Sequence, residues 1–409
     1  MTAESRQPPP RPLRLGILGF FGFGNLGNEG SLAALLDQVR SLDAEVEVIC
    51  FAGDPDVAHR EHQISCTALM SHRARPGASG PVEVLRKAWG RLVDVPRIWH
   101  LVGGVDVVVV PGMGVLEPNL DDANVWGFPY WQFLVALAAR ARRRPFVLLS
   151  VGVGVPEDRW VRFYFRATIR LARYCTFRDW GSQTAAQLLD GRARPGTVST
   201  DLAFALPQPP GRVQPVPGRI VVGVMTPSAR GTTVDEVAAY AEKVSLAIVG
   251  LLDRGHSVRL VVGDLADRAV ADRVSDLAAR HRPHLARTVL GVSAADTLDG
   301  LMVEMAQAEV VVASRYHNLV CALRVCRPVV SLGYAAKNAE LLAEFGLAGY
   351  DQPIRDFDAG VLDQQVRELL QRRPALEPDM MGTLTRLDTA LRDQYRDLTD
   401  RVLRPLIAS

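Results

Sequence analysis

Residues 13–41 read LRLGILGFFGFGNLGNEGSLAALLDQVRS. Leu13 to Leu18 alternates as a short strand. Glycines 19, 22, 24 and 27 follow it, and Ser31 to Ser41 carries apolar residues at helical spacing. A strand that runs through glycines into a helix is the opening of a parallel α/β unit, where backbone amides and a helix N-terminus can face an anion. Gly22, Gly24 and Gly27 also match G-x-G-x-x-G, the dinucleotide pattern. Here, however, the glycines come late after the strand, and the first ribose-binding acid, Asp54, lies beyond the usual spacing of about 20 residues. A turn that only needs positive φ is the plainer alternative.

The same alternation continues outward from this stretch. Glu45 to Cys50, Val105 to Val110, Phe146 to Val151 and Cys175 to Phe177 read as strands. Trp126 to Arg143, Trp160 to Ala172 and Ser182 to Leu189 read as helices. Residues 54–104 carry no clear period and contain the turn-rich patch SHRARPGASGP, which reads as a surface loop. PQPPGRVQPVP, at 207–217, breaks both helix and strand, and the pattern then restarts. Arg219 to Val224, Ser257 to Val262, Val310 to Ala313 and Pro328 to Leu332 are its strands. Val234 to Arg254, Asp267 to Arg282, Asp296 to Ala308, Asn318 to Arg324 and Asn338 to Phe345 are its helices.

The expected organisation is therefore a polar lead-in at 1–12, an α/β domain at 13–206, a Pro-rich linker at 207–217, a second α/β domain at 218–375 and a helical tail at 376–409. Open α/β folds bind ligands at the carboxyl ends of their strands, so two in tandem suggest a cleft between them.

Composition narrows the classes of function. The chain has 409 residues, 48% hydrophobic and 22% charged, which excludes a disordered or collagen-like protein. Lys+Arg 47 against Asp+Glu 45 leaves a formal charge of +2, too balanced for a protein that coats nucleic acid. Five cysteines, at 50, 66, 175, 321 and 326, show neither C-x-x-C nor zinc spacing, so no metal site is expected and a reducing cytoplasm fits. The N-terminus lacks a signal-peptide core, and no apolar run approaches the roughly 18 residues of a membrane helix. Arginine- and alanine-rich usage suggests a bacterial source. Neither G-x-x-x-x-G-K-[ST], H-E-x-x-H nor G-x-S-x-G is present, which withdraws support from ATPase, zinc-protease and α/β-hydrolase readings.

Six further stretches bear on chemistry. VVVVPGMGVLE (107–117) and LLSVGVGVPEDRW (148–160) repeat the strand-to-glycine pattern; tight βα packing alone would also account for them. In FRDWGSQ (177–183), Arg178 follows a strand and can hold a carboxylate or phosphate, or else pair with Asp179 or Asp201. VVVASRYHNLVCAL (310–323) places Ser314, Arg315 and His317 at a strand's carboxyl end, a cation two residues from a group that titrates near neutrality. VVSLGYAAKN (329–338) adds Tyr334 and Lys337 after another strand, Lys337 being either a phosphate ligand or a solvated cation. The basic run Arg140 to Arg144 reads as the solvated end of a helix, with a membrane-surface role as the alternative.

Together these stretches resemble the polysaccharide pyruvyl transferase family. The resemblance rests on Gly19 to Glu29, Pro111 to Gly114, Arg178 to Ser182, Asp201 to Phe204, and above all the S-R-x-H of Ser314 to His317 with the Y-x-x-K of Tyr334 to Lys337. It implies an α/β protein of two Rossmann-like domains in a glycosyltransferase-B-like arrangement. The implied activity is transfer of a pyruvyl group from phosphoenolpyruvate to a sugar, usually as a ketal bridging two hydroxyls. It further implies His317 as the acid that protonates the methylene carbon, with Arg178, Arg315, Ser314 and Lys337 on the donor. Gly22, Gly24, Asn25, Gly27, Asn28, Glu29, Gly112 and Gly114 are then left for the acceptor, a sugar that can carry a nucleotide or lipid diphosphate. Asn28 stands where the family often has Asp, and Asn318 where a small residue is common. Phosphoenolpyruvate is the only co-substrate expected, with no further cofactor. A lipid-linked acceptor would require peripheral membrane contact, and assembly into a homo-oligomer stays open. Two competing readings are a glycosyltransferase of the same shape that uses a nucleotide sugar, and a non-catalytic sugar- or nucleotide-binding relative.

Overall fold

The computed structural model describes residues 11–70, 81–118, 125–191, 196–211, 213–227 and 233–408, with backbone only at 81–84, 87 and 88. The first ten residues of the lead-in, and all but the last residue of the turn-rich patch at 71–81, lie outside that range. The rest forms two compact units.

The first unit is built on a seven-stranded parallel sheet: β1 (Leu13–Leu18), β2 (Val46–Ala52), β3 (Ser65–Ala68), β4 (Val107–Pro111), β5 (Phe146–Val151), β6 (Tyr174–Phe177) and β7 (Thr197–Val198), in the spatial order 3-2-1-4-5-6-7. Val107 to Val110 are all but completely buried, as expected of a strand covered by helices on both faces. The helices are the C-terminal end of α1 (Leu26–Arg40), then α2 (Pro55–His62), α3 (Pro81–Gly103), α4 (Phe128–Ala141), α5 (Arg159–Leu171) and α6 (Trp180–Leu189). Their starts follow local chemistry. Asp158 accepts from the Trp160 and Val161 amides at the head of α5, and Asp179 accepts from Ser182 N at 2.6 Å at the head of α6.

The second unit repeats the plan in six parallel strands, β8 (Arg219–Val224), β9 (Ser257–Val262), β10 (Leu290–Val292), β11 (Val310–Ala313), β12 (Val329–Gly333) and β13 (Asp351–Pro353), ordered 10-9-8-11-12-13. Its helices are α7 (Val234–Asp253), α8 (Arg268–His281), α9 (Pro283–Val289), α10 (Leu298–Ala306), α11 (Tyr316–Arg324), α12 (Ala336–Glu344) and α13 (Ala359–Leu398). A full capping box, Thr233 with Glu236, starts α7. In both sheets the order reverses beside the first strand, between β1 and β4 and between β8 and β11, and these switch points are where open α/β sheets bind ligands.

The units depart from the contiguous domains expected from sequence. Residues 24–34 and 200–206 pack with the second unit, and 392–409 with the first. The reason for the first departure is local. Leu26 N donates to Gly263 O at 3.2 Å and Leu265 N to Gly24 O at 2.9 Å, so the glycine-rich turn pairs with the segment after β9. The expected tail is part of a longer element, because α13 starts at Ala359 and runs 40 residues through Pro374 and Pro378. Four short strands, β3, β7, β10 and β13, extend the sheets beyond the strands expected.

Asp106, at the entrance to β4, is buried and accepts from Arg14 N at 3.0 Å, Arg11 Nη2 at 2.9 Å and Arg144 Nη1 at 3.2 Å. Burial alone would raise its pKa, but the bonds from Arg11 and Arg14 and the charge of Arg144 hold it below the ordinary carboxylate value. A depressed folded-state pKa stabilises the fold above the unfolded value, and that stability is lost as the pH falls through the folded one. Asp106→Asn is expected to cost about 1–3 kcal/mol near neutrality and progressively less below pH ~4. Urea unfolding at pH 7 and pH 3 measures this; an equal cost at both would remove the charge from the explanation.

Candidate functional site

The β11–α11 junction lies at the switch point of the second sheet. Ser314 N donates to Gly223 O at 3.1 Å, which ties the end of β11 to the end of β8. Ser314 is itself fully buried, with its Oγ 3.3 Å from the Tyr240 hydroxyl, so it holds the loop in place and presents no surface to a ligand. That departs from the donor-contacting role expected of it. Arg315, next in sequence, is the N-cap of α11. Its Nε and Nη2 donate to the two oxygens of buried Asp267 at 2.7 and 3.0 Å, and Asp264 lies 4.0 Å away. Burial opposes the charged guanidinium, yet the bonds to Asp267 outweigh it and hold the pKa of Arg315 above its ordinary value. The carboxylates fix the plane of the guanidinium and leave Nη1 outside the pair. The pKa of Asp264 is raised as well, chiefly by burial.

His317 is the second residue of α11. Its Nε2 lies 3.7 Å from Asp201 Oδ2, close enough for an ion pair but too long for a hydrogen bond, and makes no hydrogen bond among the described residues. Asp201 is fully buried and caps a 3₁₀ turn (Leu202–Ala205) by accepting from Ala203 N at 3.0 Å. On the other side of the ring, a β-carbon placed on Gly27 would fall 1.8 Å from His317 Nδ1. Gly27 is therefore glycine because the imidazole occupies its side-chain space. Tyr316 meets the His317 ring edge-on at 5.5 Å, and the Lys337 ammonium lies 5.3 Å from the Tyr316 ring centre. Histidine, carboxylate, arginine and lysine thus share one neighbourhood with the first turn of a helix.

The glycine-rich turn belongs to this cluster. Asn25 donates from Nδ2 to Asp264 Oδ2 at 3.1 Å, Gly24 has φ +80° against Leu265, and the Asn28 and Glu29 amides return to Asn25 O. These residues line the histidine side of the second unit, whereas the sequence placed them on an acceptor face of the first. Gly22 stays in the first unit, where its space is closed by Asp54.

Gly112 and Gly114 follow β4 in the first unit, and Gly112 N donates to Leu149 O at 2.6 Å. Arg178, 5% exposed, bonds the Glu117 carboxylate and lies 3.5 Å from Asp179 Oδ2. A β-carbon on Gly152 would strike both Glu117 and Arg178, so the pair fills the end of the sheet. Of its two sequence alternatives, Arg178 takes the ion pair with Asp179; Glu117 was not foreseen. Asp201 stands instead beside His317. Its presence in the D-x-[AV]-F element was the available signal, though nothing in the spacing says which side chain it meets.

The solved structures that resemble this chain share its plan of two Rossmann-like domains. The UDP-GlcNAc 2-epimerase of Neisseria meningitidis bound to UDP-GlcNAc superposes with a TM-score of 0.62 at 12% identity, over 96% of this chain and 99% of that one. The epimerase of Methanocaldococcus jannaschii gives 0.58 at 11%, over 88% and 93%. The glycosyltransferase SnogD of Streptomyces nogalater gives 0.54 at 16%, over 97% and 100%. At such identities the likeness defines a fold, that of glycosyltransferase-B-type proteins. No curated protein matches the sequence. The polysaccharide pyruvyl transferase family does match, over residues 25–335, and the chain belongs to it. It is accordingly a sugar-modifying transferase.

Gly27→Ala is expected to cost about 1–3 kcal/mol by overpacking, and His317→Ala to recover most of that loss in the double variant. Thermal unfolding of the four proteins measures the coupling. Additive costs would mean that the two residues do not share the space.

Proposed function

We propose that the chain transfers the pyruvyl group of phosphoenolpyruvate to hydroxyls of a sugar, closing a ketal and releasing phosphate. The observation that carries this reading is His317, held between buried Asp201 and Gly27 at the carboxyl end of β11. Family membership supports the pyruvyl chemistry.

In this reading His317 gives its proton to C3 of the donor, and the double-bond electrons form the new C–H bond. C2 becomes an oxocarbenium-like centre. One sugar hydroxyl adds to C2 and its proton returns to the His317 imidazole. A second then adds as the C2–O bond to phosphate breaks, so that phosphate departs with the electron pair and takes up the second hydroxyl's proton. Asp201 sets the orientation of the ring and supplies the opposite charge beside it. The donor carries phosphate and carboxylate charges. They would be met by Arg315 Nη1, which the pair with Asp267 leaves outside, by Lys337 and by the positive end of the α11 dipole. These groups supply the countercharge themselves, so the reading calls for no metal or further cofactor. Phosphoenolpyruvate as donor places the reaction in the cytoplasm. The epimerase neighbour bound to UDP-GlcNAc supports a sugar carrying a nucleotide diphosphate as one acceptor class.

Calorimetric titration tests the donor without requiring the acceptor. Wild type is expected to bind phosphoenolpyruvate, Arg315→Ala to bind it about tenfold or more weakly, and His317→Ala to keep binding. With a panel of nucleotide-linked sugars, phosphate release should fall roughly 10²–10⁴-fold in His317→Ala, and in Asp201→Asn should fall in kcat with KM little changed. Wild type that ignores phosphoenolpyruvate in the presence of every acceptor, and hydrolyses or transfers from a nucleotide sugar instead, would overturn the proposal.

A further inference from the structure

Five of the six tryptophans, Trp89, Trp99, Trp126, Trp160 and Trp180, are 46–70% exposed, and all five lie in the first unit. Single exposed apolar residues are ordinary, but a contiguous set marks a surface that something covers. On α3, Leu85, Trp89, Leu92, Pro96 and Trp99 recur at helical spacing and form one stripe, with Leu85 and Leu92 71% and 67% exposed. On α5, Trp160 and Phe163 are each about half exposed and meet edge-on.

Ring contacts join the two helices through α4. Phe163 packs on Phe133 at 5.6 Å, Phe133 stacks on Tyr164 at 5.4 Å, and Tyr164 meets Tyr130 at 6.0 Å. The Tyr130 hydroxyl then donates to Arg91 O on α3 at 3.4 Å. Packing through α4 therefore puts Trp89, Trp99, Trp160 and Phe163 on the one helical layer of α3, α4 and α5.

The charges on this face have one dominant sign. α5 carries Arg159, Arg162, Arg166 and Arg170 and no acidic residue. Arg159 lies over the Trp160 ring at 5.2 Å, while Arg166 and Arg170 lean on Asp190. α4 ends in the basic run 140–144, whose Arg142 lies 4.4 Å from the Trp99 ring. Tryptophan and phenylalanine flanked by arginine match the headgroup region of a bilayer, where the rings sit at the interface and the guanidinium groups reach lipid phosphates. A second copy docking face to face would set arginine against arginine.

We propose that the α3–α4–α5 face seats the protein on an anionic lipid bilayer as a peripheral protein. No helix among the described residues is long and apolar enough to cross a membrane. The proposal does not depend on the donor chemistry above.

Co-sedimentation of the full chain with phosphatidylcholine vesicles, and with vesicles of equal parts phosphatidylcholine and phosphatidylglycerol, tests it. Wild type should pellet with the anionic vesicles and be released by high salt. Trp160→Ser/Phe163→Ser and, separately, Arg140→Glu/Arg159→Glu should lose about tenfold or more in partition at an unchanged melting temperature. Arg273→Glu/Arg280→Glu on α8 should leave partition unchanged. Absence of wild-type pelleting, or partition untouched by either of the first two double variants, would overturn the proposal. So would a wild-type dimer in light scattering that Trp160→Ser/Phe163→Ser splits into monomers, which would assign the face to a second copy.

Discussion

The imidazole of His317 and the missing β-carbon of Gly27 occupy the same space. That exclusion links two motifs nearly three hundred positions apart in sequence. It requires the glycine-rich turn to travel with the second unit, and the pairing of Gly24 to Leu26 with the segment after β9 provides the hydrogen bonds that keep it there. It also fixes which way the ring can face. With Gly27 behind Nδ1 and Asp201 beside Nε2, the ring has little freedom to turn without opening a void or losing its carboxylate neighbour.

The arginines show why cations near a site are seldom bare. A buried guanidinium without a counter-ion costs several kcal/mol, so Arg178 is matched by Glu117 and Asp179, and Arg315 by Asp267. The pairing changes what each can do. Arg178 is enclosed by its partners and closes the end of the first sheet. Arg315 is gripped along Nε and Nη2 only, so its plane is set in advance and the ordering entropy of the side chain is spent before any anion arrives.

Much of the architecture is legible in the amino-acid order. The runs ending at Leu18, Val151, Val262 and Ala313 are strands with those very termini, because each is an apolar run cut off by glycine or serine. Legibility fails where tertiary contact overrides local preference. α1 begins at Leu26, five residues before the expected Ser31, since docking compensates for the poor helix propensity of Gly27 and Gly30. β7 and β10, of two and three residues, exist only as edges laid against longer neighbours. The site divides in the same way. Ser314, Arg315, His317 and Lys337 stand out as residue types at a strand's end, but the carboxylates that give them their roles, Asp201, Asp264 and Asp267, come from distant loops whose approach no spacing reveals.

Asn318 carries this reasoning one step further. It follows His317 where a small residue is common in the family, and its amide fits because Gly223 and Gly263, at the ends of β8 and β9, leave room; a β-carbon on either would lie within 2.6 Å of it. The side chain is fully buried, and neither its oxygen nor its nitrogen has a hydrogen-bond partner among the described residues. An orphaned buried amide costs about 1–3 kcal/mol, which is far from negligible against the total stability of a domain. Unsatisfied polar groups persist in native folds where a bound water or ligand completes them. Here the orphan sits at the β8–β11 switch point, one residue beyond the histidine, so a polar group that the fold leaves unserved stands beside the group best placed to act on a substrate.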